Sequence, residues 1–124
     1  MGHGIDVADL GRVEVLLTKM AEDFLLSTFT AAERETECLP LERVPFFAGR
    51  LAAKEAVVKA LGTGFTGGVA WRHVEIIRLP DGRPEVRLHG AAKEVAEKLG
   101  VGRWFISISH TEHIAIASAI AVTA

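Results

Sequence analysis

The stretch Phe46-Phe47-Ala48-Gly49-Arg50-Leu51-Ala52-Ala53-Lys54-Glu55-Ala56-Val57-Val58-Lys59-Ala60-Leu61-Gly62-Thr63-Gly64 decides the fold of this chain. Strong helix formers fill it, Pro45 stands at its start, and Gly62 and Gly64 mark its end, so it is predicted to be one helix. At about 100° per residue, Leu51, Ala52, Ala56, Val57, Val58 and Ala60 cover most of the circumference. Such a helix is buried on most sides. It nevertheless carries Arg50, Lys54, Glu55 and Lys59. Glu55 and Lys59 lie four apart and could form an ordinary helical ion pair. A carboxylate on a largely buried helix could equally hold a cation or a metal. Glu55 is the residue on which function turns.

Length and composition limit the alternatives. The chain has 124 residues, the size of one domain, and residues 1–124 are expected to form a single domain. At 49% hydrophobic and 24% charged residues it can bury a core. Its net charge of −2 gives no general basic field, so no nucleic-acid partner is expected. The single cysteine, Cys38, forms no internal disulfide and fits a reducing compartment. No basic-then-apolar leader heads the chain and no apolar run is long enough to span a bilayer, so a cytoplasmic protein with no membrane partner is expected.

Outward from the helix, Gly4-Ile5-Asp6-Val7 is predicted to end a short first strand. Asp is disfavoured inside strands, so Asp6 is either a helix cap or a ligand. Asp9 is the better cap, because Leu10, Val13, Leu16 and Leu17 follow it at helical spacing. Arg12 projects from that helix. Met20 to Leu26 is predicted as a second short helix, and Thr30 with Glu33 forms a capping box. Cys38 to Pro45 is a loop. After the long helix comes a glycine-rich loop, which is either a helix terminator or a phosphate cradle.

His73–Leu79 and Pro84–Leu88 form a hairpin around Asp81-Gly82. Ala91–Leu99 is a helix burying Ala92, Val95, Ala96 and Leu99. In the last strand pair, Arg103 to His110 alternates strictly, and Ile114 to Val122 alternates with Ala115, Ala117, Ala119 and Ala121. The small alanine face lets a helix pack close, and the long helix is its natural occupant. The fold class is α+β: an antiparallel sheet packed against one long central helix.

Asp6 and Glu55 are the carboxylates with the poorest structural explanation. Two such groups meeting in a cleft make a magnesium site when substrate phosphates supply the other ligands. Lys59, one turn from Glu55, would meet a phosphate as a point charge. Ser109 and His110 end a strand at the sheet rim, but adjacent strand residues face opposite ways, so they do not form a nucleophile–base pair. The other histidines have no metal-ligand spacing. These residues point to phosphoryl chemistry by positioning and charge neutralisation. A transferase, a magnesium-dependent hydrolase of a nucleotide diphosphate and a non-catalytic binding module all remain open.

Four segments in this order resemble one known family: Gly4-Ile5-Asp6-Val7 with Arg12; Phe29-Thr30 with Glu33; Arg50 through Gly64; and Ser107-Ile108-Ser109-His110-Thr111. The chain is similar along essentially its whole length to the holo-[acyl-carrier-protein] synthases, the small class of 4′-phosphopantetheinyl transferases. The Lys54-Glu55-Ala56-x-x-Lys59-Ala60 segment is the most specific part. The resemblance implies transfer of phosphopantetheine from coenzyme A to a serine hydroxyl of acyl carrier protein, releasing adenosine 3′,5′-bisphosphate, within fatty acid biosynthesis. It implies Mg2+ ligation by Asp6 and Glu55, with Glu55 and Lys59 as the catalytic pair and Lys59 near the phosphates. Ser109 and His110 would line the coenzyme A pocket, and Arg50 with Gly62-Thr63-Gly64 would lie at the nucleotide end. Arg12 would meet the acidic carrier protein. Homotrimers with sites at subunit interfaces are implied as well. Met1-Gly2-His3 is shorter than the family's usual start, Leu51 replaces a bulkier aromatic, and no motif assigns the general base.

Overall fold

The structure, a computed structural model, describes residues 1–123; Ala124, the end of the expected domain, lies outside the described residues. The elements run β1 (Gly2–Asp9), α1 (Leu10–Lys19), α2 (Ala21–Thr28), α3 (Ala31–Arg34), α4 (Arg43–Leu61), β2 (Val74–Arg78), β3 (Pro84–Leu88), α5 (Gly90–Lys98), β4 (Val101–His110) and β5 (Ile114–Thr123). Short 3-10 turns at Pro40–Glu42 and Trp71–His73 lead into α4 and β2. The α+β class holds, with the strands divided between two antiparallel sheets, β1-β5-β4 and β2-β3.

The long helix begins at Arg43, before Pro45, and stops at Leu61. Pro45 fits inside the first turn, where its missing N–H would have no helical acceptor. Gly62 ends the helix with φ 81°, and the Thr63 N–H folds back onto the Val58 carbonyl at 3.1 Å. Gly62-Thr63-Gly64 therefore forms the loop that ends the helix, which stops three residues before Gly64. The helix is buried on most sides, as its pattern predicts.

The first strand runs past Val7, its expected end, to Asp9. It starts at Gly2, which pairs with Ala121, while Gly4 pairs with Ala119. Both glycines face α4. A Cβ on Gly4 would lie 1.9 Å from the Ala56 carbonyl oxygen, and one on Gly2 2.1 Å from that of Ala60. Backbone rests on backbone here, and only glycine permits it. On β5, Ala115, Ala117, Ala119 and Ala121 are all buried against the same helix.

Asp9 caps α1, accepting the Arg12 N–H at 2.9 Å. The Thr30–Glu33 capping box is present. Several boundaries differ from expectation. α2 runs on to Thr28, His73 sits in a 3-10 turn before β2, and β4 starts at Val101 with an irregularity in its pairing before Arg103. Leu99, expected inside, is more than half exposed because α5 ends at Lys98 and buries only Ala92 and Ala96 fully. The outer face of β1-β5-β4 leaves Ile5, Val7, Phe105 and Ile114 substantially exposed.

Candidate active site

Asp6 lies in the middle of β1 on the face turned to α4, and its neighbours there come from the C-terminal half of that helix. Lys59 donates to Asp6 Oδ1 at 2.8 Å and to the Ile5 carbonyl at 3.0 Å. The ion pair Lys59 forms is thus with Asp6, from a distant strand, and not the Glu55–Lys59 helical pair the spacing allowed. Asp6 Oδ2 is buried and has no hydrogen-bond partner among the described residues. Glu55 is half-buried beside it. Burial first, then the neighbouring Asp6, push the Glu55 carboxyl up to about 7, against a weaker opposite pull from Lys59 and Arg12. The hydrogen bond to Asp6, with further help from the Asp6 and Glu55 charges, raises Lys59.

Two carboxyl groups side by side, one with a buried oxygen that lacks a donor, form a site with room for a further positive partner. Among the described residues no three His, Cys, Asp or Glu side chains gather as a complete metal site. The donor set nevertheless fits a Mg2+ ion that keeps most of its ligands as water or substrate oxygens. Arg12, in the first turn of α1, is exposed and close enough to act on Glu55. Gly62-Thr63-Gly64 continues from the same end of α4. Gly64 has φ 56°, with open space where a side chain would be. Just beyond, Phe65 stacks on Trp71 with ring centroids 3.8 Å apart.

Arg50 and His110 stand elsewhere. They line a cavity of about 270 Å³ with Phe46, Gly49, Arg78, Pro84 and Ile108. Arg50 is 8% exposed, and its Nε has no partner among the described residues. Its guanidinium lies 4.3 Å from the Phe46 ring centre, and that of Arg78 lies 5.2 Å from the same ring. Burial and the nearby Arg78 pull Arg50 down to about 10. Two cations held close with a donor unspent make a place for an anion. Ser109 points to the outer face of the sheet, opposite to His110, and is exposed.

The residues named from sequence therefore fall into two groups. Asp6, Glu55, Lys59 and Arg12 gather at the β1 edge, while the glycine loop leaves the end of α4 beyond Gly2. Arg50 and His110 gather at the β4 edge, with β5 between. Arg78 was missed; its place three residues before Asp81-Gly82 makes it look like a solvated strand end. Lys54 was also passed over. It is fully buried and donates to Glu33 Oε1 at 2.7 Å, to the Trp71 carbonyl at 3.2 Å and to the Val74 carbonyl. Burial lowers Lys54, while Glu33 opposes the shift.

The family model for the 4′-phosphopantetheinyl transferase superfamily matches residues 2–117. The chain belongs to this superfamily. Within it, the chain is 47% identical over 117 residues to the holo-[acyl-carrier-protein] synthase of Solidesulfovibrio magneticus, covering 94% of this chain and 93% of that one. Its fold is similar to the crystal structure of holo-[acyl-carrier-protein] synthase from Neisseria meningitidis, with TM-score 0.84, 32% identity and 98% of each chain covered. The Helicobacter pylori synthase in complex with coenzyme A matches with TM-score 0.83 and 27% identity, over 97% of this chain and 99% of that one. The chain is therefore an enzyme, a phosphopantetheinyl transferase. No helix among the described residues is long and apolar enough to cross a membrane.

Proposed function

We propose that the chain, acting as one domain in the cytoplasm, transfers 4′-phosphopantetheine from coenzyme A to a serine hydroxyl of apo acyl carrier protein. The serine hydroxyl gives up its proton to a base, a water or a carboxylate of the site, as its oxygen bonds to the phosphorus that carries the pantetheine. The bond from that phosphorus to the bridging oxygen breaks, and adenosine 3′,5′-bisphosphate leaves with the electron pair. Asp6 and Glu55 would hold a Mg2+ ion, whose charge offsets that of the coenzyme A diphosphate. Lys59 swings from Asp6 to a phosphate oxygen as a point charge. Arg50, with Arg78 beside it, takes a further phosphate of the nucleotide, next to His110. Gly62-Thr63-Gly64 offers backbone to the phosphates, and Arg12 borders the entry used by the acidic carrier protein.

The observation that carries this reading is the pair of facing carboxyls, Asp6 and Glu55, with the unpartnered Asp6 Oδ2 between them. Its second support is the split of charged residues between the two edges of one sheet. In a trimer, one copy's carboxyl pair could work beside a neighbour's arginine cavity on a single coenzyme A. Ile5, Val7 and Phe105 offer the apolar outer sheet face on which copies would pack as a trimer. Ser109 on that face would then meet a neighbour's site.

The test is to incubate the protein with coenzyme A, Mg2+ and apo carrier protein and to weigh the carrier by mass spectrometry. A gain of one phosphopantetheine supports transfer. Cleavage of coenzyme A without that gain makes the chain a diphosphate hydrolase instead, and neither change makes it a binding module.

A further inference from the structure

We infer that the buried Lys54–Glu33 pair is a positioning device for the two-carboxyl site, fixing the rotation of α4 that turns Glu55 toward Asp6. The inference rests on the divalent-cation role proposed for that site. Lys54 and Glu55 are consecutive, so their side chains leave the helix about 100° apart. Whatever fixes the direction of one fixes the other.

Lys54 is fixed from several sides. Its ammonium reaches Glu33 Oε1 on α3, the Trp71 carbonyl in the turn before β2, and the Val74 carbonyl on β2. All three ammonium protons have an acceptor. Glu33 is held in turn: the Thr30 N–H donates to Oε1 at 2.8 Å and the Ile76 N–H to Oε2 at 2.9 Å. Both side chains have no solvent exposure. Turning α4 about its axis would break several buried polar contacts together, and each leaves a costly orphan.

The β1 side of the helix offers no such buried hold. There β1 rests on the carbonyls of Ala56 and Ala60 through Gly2 and Gly4. That contact sets the distance between strand and helix, and the side-chain tie to β1 is the exposed Lys59, bonded to Asp6 and the Ile5 carbonyl, which costs less to break than the sealed Lys54 bonds. The alanine row of β5 is smooth. Distance comes from the glycines, and angle from Lys54 and Glu33.

The test uses the full chain with Glu33→Leu and Lys54→Met combined, which keeps the apolar volume and removes both charges. Mn2+ affinity is read by electron paramagnetic resonance without substrate, beside kcat and the KM for coenzyme A. Mn2+ affinity is expected to fall by about 10- to 100-fold, as when a partner holding a metal ligand is lost. The kcat should fall with it, while KM moves far less. Should the double variant fail to fold, Glu33→Gln removes only the charge and keeps an acceptor for the Ile76 N–H; its Mn2+ affinity should fall in the same direction. A folded variant with the Mn2+ affinity of the unaltered chain overturns the inference and leaves the two-carboxyl site standing. Failure of the unaltered chain to bind Mn2+ overturns that site, and this inference with it.

Discussion

Two lysine–carboxylate groups are built on one helix, their lysines five residues apart, and they could hardly differ more. Lys54 and Glu33 are sealed and every ammonium proton has an acceptor. Lys59 is exposed where it meets Asp6, with Glu55 beside them and one Asp6 oxygen left without a partner among the described residues. The first group is complete in itself, so its role is to hold the fold. The second leaves a carboxylate oxygen without a donor, the feature on which the proposed cation site rests. Satisfaction of polar atoms, more than residue type, separates the two.

The contrast breaks or sharpens under substitution. Lys54→Ala leaves Glu33 charged and buried alone and is expected to destabilise by about 3–5 kcal/mol in chemical denaturation; a loss under 1 kcal/mol, within reach of an ordinary surface pair, would erase the distinction. Glu55→Gln should leave the denaturation midpoint nearly unchanged and cut the transfer rate by about 10²- to 10³-fold. Comparable loss of stability would instead make Glu55 a second structural acid.

Gly4→Ala adds a methyl where the Ala56 carbonyl already lies at 1.9 Å, so β1 must lift from α4. About 1–3 kcal/mol of stability should go, and Mn2+ binding should weaken as Asp6 moves away. Full retention of both would mean that the strand re-seats freely.

The smallest effect is on pH. Glu55 is raised from an ordinary 4.5 to about 7 in the metal-free fold. The folded state then binds more protons than the unfolded chain between these values, so stability falls as pH rises from about 4.5 to about 7. Discounted for solvent at a half-buried group, the change is on the order of 1 kcal/mol. Thermal melts across this range should follow it, and Asp6→Asn should flatten it.

Much of this was legible in the sequence because it is periodic. The alternation of β4 and β5, the alanine row and the all-round burial of α4 each follow from side chains that must be hidden. Asp6 and Glu55 stood out because a strand interior and a buried helix both reject an unpaired acid. What escaped is what periodicity does not encode. The first strand looked short because glycines read as weak strand formers, whereas Gly2 and Gly4 are required by the carbonyls they touch. The Glu33–Lys54 pair joins residues 21 positions apart, and Glu33 already had a sufficient local explanation in its capping box. The division of the site between sheet edges depends on β5 lying between β1 and β4, an order that the sequence of strands does not reveal.

The Phe65–Trp71 stack lends the molecule a built-in optical reporter. The chain has two tryptophans, and Trp104 lies on β4, away from the glycine loop. Replacing Trp104 by phenylalanine leaves a single indole pressed against Phe65, three residues past Gly62. Its emission would register any lifting of that loop when a nucleotide settles at the end of α4, in real time and without an added label.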